Sequence, residues 1–424
     1  MMLLIKGARL VDPLHHVDKK ADMLVDRGKI VEIKNSINVR GADVLVATNL
    51  IVCPGFIDIH THLREPGEEF KETIESGCEA AACGGFTAIA CMPNTIPPND
   101  NPSTTRFIME RARMANGVRV MPIGAITIGQ KGEQLCEYFS MKREGIIAIS
   151  EDGRSVMNSG ILRRAMEYAA THDLLVISHC EDHNLSGKGV MNEGIYSTRY
   201  GLRPIPTQAE DIIVYRDVAL SALAGCRLHI AHVSAADSLF HIRRAKKRGL
   251  RVTAETAPHY LYLSDDMLAT YDTNLKVNPP LRSRADVQAL RKAIKDGTID
   301  CIASDHAPHS SAEKDVEFDI AKPGISGIET SVGLVLNLVN EGVISLKRAI
   351  YLLSAGPAKV LNIPPNSLSV GSDANITIVD LKKEWTVDPS KFHSKGRNTP
   401  FAGYKLRGKA VATLVAGRIL YSEL

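Results

Sequence analysis

The sequence predicts an α/β protein: a (β/α)8 TIM barrel accompanied by a small discontinuous β-sandwich domain drawn from both termini. Three observations carry that expectation. Eight short β-branched runs alternate with longer segments of helical composition between residues 57 and 304. The Gly-x-Gly-x-x-Gly turn of an open dinucleotide-binding sheet is missing, and at both ends the pattern changes to closely spaced strands and turns. Strand then helix, repeated, gives parallel βαβ units, and eight of them over about 300 residues fit a closed barrel better than an open sheet.

In chain order, the first flank carries strand-like runs at 3–6, 23–25, 30–33 and 44–46, separated by Asp-Arg-Gly and Gly-Ala-Asp turns that suit short antiparallel strands. The barrel strands follow at 57–61, 87–91, 118–123, 146–149, 174–178, 227–231, 252–254 and 301–304. Helices are expected at 73–83, 103–115, 159–171, 208–223, 236–247 and 285–295, the first of them stopped by Gly84-Gly85. Strand texture returns at 375–379, 410–415 and 418–421, with Ala416-Gly417 as a turn. Each flank alone is too small to bury a core, so residues 1–53 and 366–424 are expected to join as one domain beside a barrel over 54–365.

Composition narrows the function. A net charge of +3 over 424 residues, with 44% hydrophobic and 23% charged, argues against a dedicated nucleic-acid binder. The basic run from Arg243 to Arg248 reads as the solvated face of a helix. Eight cysteines without a Cys-x-x-Cys pair read as reduced core residues. Lys6 and Arg9 come too early for a secretory segment, and no apolar run reaches the roughly 18 residues of a membrane span, so the expected location is the cytoplasm.

His60 and His62 lie two apart on an apolar strand and so project to one side, in chelating geometry. Two imidazoles complete no site, and a hydrogen-bonded pair is the plainer alternative. Four more metal-type residues close other strands: Asp152 after the fourth, His179 the fifth, His232 the sixth and Asp305 the eighth. Six such residues at the carboxyl ends of barrel strands, the face where barrel enzymes assemble their sites, are too many for one tetrahedral ion and divide between two divalent ions. Asp305 can also carry a proton to and from reacting atoms, with a ligand-only role as the alternative. Arg64 can hold a carboxylate bidentately or serve as a surface ion-pair partner. Asn94 and Asn278 can donate and accept or simply cap turns, and His309 reads as a substrate contact.

Asp58-Ile59-His60-Thr61-His62-Leu63-Arg64 and Ala303-Ser304-Asp305-His306-Ala307-Pro308-His309, with Lys314 following, resemble the two signature motifs of dihydroorotases, and the likeness runs the length of the chain. Lys276-Val277-Asn278-Pro279-Pro280, Ser178-His179-Cys180-Glu181 and Ala231-His232-Val233-Ser234 match further blocks in the same order. The resemblance implies a cyclic amidohydrolase acting on N-carbamoyl-L-aspartate and L-dihydroorotate in pyrimidine synthesis, with two zinc ions per subunit. It implies His60, His62, Asp152, His179, His232 and Asp305 as ligands, with Asp152 bridging and Asp305 catalytic. His62, Arg64, Asn94, Asn278, His309 and the backbone at Pro323-Gly324 are then the substrate contacts. Relatives such as allantoinases and hydantoinases bridge their metals through a carboxylated lysine on the fourth strand, where this chain has Ile146-Ile147-Ala148-Ile149-Ser150-Glu151-Asp152 and no lysine. Glu151 is the alternative bridge. By analogy the resemblance suggests a homodimer and allows an aspartate transcarbamoylase partner, for which an inactive scaffold chain is the rival reading. The charged stretch 314–322 suggests a mobile loop near the site.

Overall fold

The computed structural model describes residues 2–115 and 117–424. Its centre is an eight-stranded parallel sheet in sequence order: Phe56–Thr61, Phe86–Cys91, Arg119–Ala125, Ala148–Ser150, Leu175–Ser178, Arg227–Ile230, Val252–Thr256 and Cys301–Ile302. Alternate residues of these strands sort into two buried clusters. Phe56, Phe86, Val120 and Val176 pack with the outer helices through Cys78, Ile108 and Leu162, while Ile57, Ala88, Met121 and Leu175 pack with Ala358, Val360 and Leu361. Helices Ile74–Gly84, Pro102–Met114, Ser159–Thr171, Gln208–Ala224, Ala236–Lys247 and Arg284–Asp296 fall within a residue of the expected bounds. Their starts are set by side-chain caps, Thr73, Asn101, Asn158 and Ser283 each accepting from backbone N–H groups of the first turn. Gly85, at φ 96°, ends the first of these helices in the left-handed conformation.

The eighth strand is shorter than the expected 301–304: Ala303 still donates to the Thr256 carbonyl at 3.2 Å, but at Ser304 the N–H turns from the ladder to a side chain. Ser304 donates its N–H to the carboxylate of Asp58 at 3.1 Å, and His62 donates to the carbonyl of His306 at 2.8 Å. Those contacts, with a parallel bridge between Thr61 and His306, join the last strand to the first. Asp58 is fully buried, and its desolvation pushes the carboxyl up to about 6 despite the N–H groups of Ser304 and His60 that donate to it.

Both flanks enter one eight-stranded mixed sheet in the order Arg418–Ser422, Lys405–Val415, Ile376–Thr386, Ile51–Pro54, Met2–Asp12, Val17–Asp26, Lys29–Lys34, with Asp43–Val46 also on Met2–Asp12. Most pairs are antiparallel as expected. The exception is Met2–Asp12, which takes Asp43–Val46 and Ile51–Pro54 as parallel partners, so that Ile51–Pro54 lies between N-terminal and C-terminal strands. Leu3, Ile5, Leu10, Met23, Val52 and Ile376 form its core. All eight cysteines are free thiols. No helix among the described residues is long and apolar enough to cross a membrane.

Candidate active site

The carboxyl ends of strands one, four, five, six and eight bring the six metal-type residues together. His60 Nε2 lies 3.3 Å from Asp152 Oδ1 and 3.5 Å from Asp305 Oδ1. His62 Nε2 lies 3.5 Å from Asp152 Oδ2 and 3.4 Å from Asp305 Oδ1. On the other side His232 Nε2 stands 3.6 Å and His179 Nδ1 3.7 Å from Asp152 Oδ1. Asp152 therefore sits between the two histidine pairs. Glu151, the alternative bridge, is turned away: its carboxylate accepts from the N–H groups of Ile126 and Thr127 at 3.0 and 3.1 Å and from the Thr127 hydroxyl.

Several of these polar atoms have nothing to bond to. His60 Nε2 and Asp152 Oδ1 are buried, face each other at 3.3 Å, and have no hydrogen-bond partner among the described residues. His60–His62–Asp305 and His60–Asp152–His232 each offer one donor atom apiece within 4.8 Å of the others. Buried polar atoms left in this way cost stability unless a cation takes them up, and imidazole with carboxylate is a donor set for divalent first-row metals. The residues present fit such a group.

Behind the cluster lies a set of supporting carboxylates and amides. His60 Nδ1 meets Glu255 Oε1 at 2.7 Å, and Glu255 in turn meets His229 Nε2 at 3.2 Å. His62 Nδ1 donates to Asn94 Oδ1 at 2.8 Å, and His179 Nε2 to Glu181 Oε2 at 3.0 Å, which also accepts from Asn278 Nδ2 at 2.8 Å. Such partners fix the ring orientation and tautomer of ligating histidines. Burial alone would raise the Glu255 carboxyl, yet His229 and His60 hold it down to about 2. Glu255 and Glu181 were not singled out from the sequence. Glu255 falls one residue beyond the expected end of strand seven, where an acid on an apolar strand was the available signal.

Asp305 has a left-handed backbone, φ 48°, and lines the cavity above the cluster. Burial alone would raise its carboxyl, but His62, with His60 and His232, holds it well below the usual carboxylate range. The cavity encloses about 280 Å³ and is also lined by Arg64, Asn94, Asn278, His309 and Gly324. Arg64 leaves the strand: at φ 60° it begins the following loop, 8% exposed, and donates through Nε to the Pro308 carbonyl at 3.2 Å. No carboxylate forms an ion pair with it among the described residues. Its Nη2 lies 3.4 Å from His309 Nε2, which donates to the Pro323 carbonyl at 2.9 Å. Burial, with the Arg64 guanidinium beside it, pushes the His309 imidazole down to about 3, so the ring is neutral.

The Pro323-Gly324 backbone lines the cavity, but its polar groups are taken. Gly324 donates its N–H to the Lys276 carbonyl and accepts from Asn398 Nδ2, each at 2.9 Å. Asn398, far along the chain and not anticipated, also accepts the His309 N–H at 2.9 Å and donates to the Ala307 carbonyl at 3.1 Å. The 314–322 stretch is tied down from beneath. Lys276 Nζ donates to the Phe318 and Asp319 carbonyls at 2.7 and 2.9 Å, and Lys314 Nζ to that of Lys322 at 2.8 Å.

A family model described as "Dihydro-orotase-like" matches residues 49–238. A dihydroorotase of Syntrophus aciditrophicus (strain SB) is 51% identical over 425 residues, covering 100% of each chain. One of Syntrophotalea carbinolica is 50% identical, covering 99% of each. Among solved structures, an L-hydantoinase (dihydropyrimidinase) from Arthrobacter aurescens superimposes with a TM-score of 0.89 at 27% identity, over 99% of this chain and 96% of that one. The barrel, the imidazole–carboxylate cluster at its mouth and these likenesses define a cyclic amidohydrolase. Half of all positions are shared with relatives matched end to end, and the chain belongs to the dihydroorotase family.

Proposed function

We propose that this chain is a cytoplasmic dihydroorotase, interconverting N-carbamoyl-L-aspartate and L-dihydroorotate in the ring-closing step of de novo pyrimidine (UMP) biosynthesis. The observation that carries the reading is Arg64, a buried guanidinium that forms no ion pair with a carboxylate among the described residues and lines the same cavity as Asp152, His179, His232 and Asp305. A neutral cyclic amide gives such a cation nothing to pair with, whereas the free carboxylate of dihydroorotate does.

Within this reading His60, His62, Asp152, His179, His232 and Asp305 would hold two zinc ions. When bound, the ions supply Lewis acidity and lower the pKa of an attacking water. Arg64, Asn94 and His309 fix the substrate carboxylate, Asn278 borders it from the Glu181 side, and Pro323 and Gly324 form the wall. Asp305 accepts the proton of the attacking water and hands it to the ring nitrogen as the C–N bond breaks, and cyclisation is the same path reversed. Ring closure consumes a proton, so acid favours the cyclic product at equilibrium. The domain division at residues 53/54 and 365/366 belongs to the same proposal, as do a homodimer and an aspartate transcarbamoylase partner, both open to light scattering of the purified proteins.

The likeness to hydantoinase structures favours a second reading, hydrolysis of a ring lacking a carboxylate. Assays of the metal-loaded chain on dihydroorotate, N-carbamoyl-aspartate, hydantoin and allantoin decide between them. Turnover of the first two alone is expected. Turnover of hydantoin without dihydroorotate overturns the proposal in favour of the hydantoinase reading, and a chain that binds no metal and turns over nothing is a scaffold.

A further inference from the structure

Away from the barrel mouth, a cleft between the first barrel helix, the helix Ile328–Asn340 and the C-terminal sheet encloses about 740 Å³. In its wall the Cys83 thiol, a Glu329 carboxylate oxygen and a His393 ring nitrogen all lie within 4.8 Å of one another. Three separate pieces of chain meet here. Cys83 ends its helix, Glu329 opens the other, and His393 follows the turn Pro389–Lys391. The two helices approach closely because Gly84 has no side chain; a Cβ there would sit 2.5 Å from the Ile328 carbonyl oxygen.

Cys83 and Glu329 are half-buried, His393 is exposed, and the group is short of positive charge. The Glu329 oxygens accept the N–H groups of His393 and Ser394, each at 3.0 Å, and the carboxylate also accepts from the Cys83 thiol, whose proton a metal would replace. No ion pair engages Glu329 among the described residues, and burial pushes its carboxyl up. The nearby Lys409 is engaged by Glu423. Burial also pushes the Cys83 thiol up to about 12, which argues against a free nucleophile. Thiolate, imidazole and carboxylate together are the donor set of a zinc-type ion, and three protein ligands leave one tetrahedral position to solvent.

We propose that Cys83, Glu329 and His393 form a second, non-catalytic site for a soft divalent cation of the zinc class. On binding, the sulfur–metal bond forms as the thiol proton leaves to solvent. An ion there would pin the start of the segment that runs from His393 to Asn398. Along it, Ser394 Oγ reaches Glu72 at 2.5 Å, and Asn398 braces Ala307, His309 and Gly324 beside the substrate cavity.

Titration of the chelator-stripped chain with cobalt(II) tests this by absorption, independently of any substrate. The six residues at the barrel mouth contain no sulfur, so a thiolate-to-cobalt charge-transfer band in the near ultraviolet reports only on a cysteine site. Expected are such a band with the intensity of one thiolate-bound cobalt per chain, reached within a total uptake of three equivalents once the barrel mouth is also filled, its bleaching by zinc, its loss in Cys83→Ser, and at least a tenfold weakening of cobalt affinity at this site in His393→Ala. Circular dichroism and turnover with the barrel mouth loaded show that both variants are folded. Cys301 is the other sulfur in a metal-type group among the described residues, beside His229 and Glu255, and Cys301→Ala should leave the band intact. Absence of the band in the unsubstituted chain, its persistence in Cys83→Ser, or its loss in Cys301→Ala overturns the proposal.

Discussion

The two poles of the cavity are built differently. At the metal-type pole the donors sit at or just beyond the ends of barrel strands, and three of the four histidines are backed by a polar partner, Glu255 behind His60, Asn94 behind His62 and Glu181 behind His179. At the cationic pole Arg64, His309 and Gly324 stand on loops, held by backbone carbonyls and by Asn398 from the far end of the chain. Strand ends deliver rigid geometry for chemistry, while loops deliver a shape that can be specific to one ring.

Substitutions at the two poles should therefore fail in different ways. Asp305→Ala should be the most severe, lowering turnover by about 10²–10⁴-fold, the usual worth of a positioned acid–base group. Near-normal turnover with metal retained, measured by elemental analysis beside the kinetics, would remove Asp305 as proton carrier. Glu255→Gln keeps the shape but loses the charge behind His60, and should cost roughly 10–100-fold in metal affinity or activity. If metal content and kcat are both unchanged, the backing carboxylate is dispensable and the contrast between poles is weaker than drawn.

Arg64→Met should act on binding. Losing a charge-assisted contact worth about 1.5–3 kcal/mol should raise KM roughly tenfold to a hundredfold for both carboxylate substrates. A variant with unaltered KM takes Arg64 out of the site. Smallest in turnover should be Asn398→Ala, which leaves the Ala307 and Gly324 carbonyls and the His309 N–H without their partner at a cost of about 1–3 kcal/mol in stability. Thermal melting reads that loss, and an unchanged Tm would mean that water replaces the amide.

The same contrast explains what could be read from the sequence. His60, His62, Asp152, His179, His232 and Asp305 were visible because apolar strands advertise themselves by composition, and a strand's last residues face the barrel mouth whatever the loops do. Asn398 was not, since nothing local distinguishes an asparagine that crosses from the C-terminal sheet to brace another loop. Arg64 lay between: its type was informative, but its place at the start of a loop depends on a left-handed backbone that the residue's identity does not announce. The parallel pairings of Met2–Asp12 were hidden for a related reason, because short flanking strands carry turn signals for their neighbours and none for partners further along.

The barrel's closing line runs through its own chemistry. Strands one and eight meet through Asp58, Ser304, His62 and His306, and His60, His62 and Asp305 stand at that junction. A cation held by those three would act as a rivet, fastening the first turn of the barrel to the last. Stripped of it, the chain should unzip from the catalytic end, so that wear on the fold and loss of activity begin as one event.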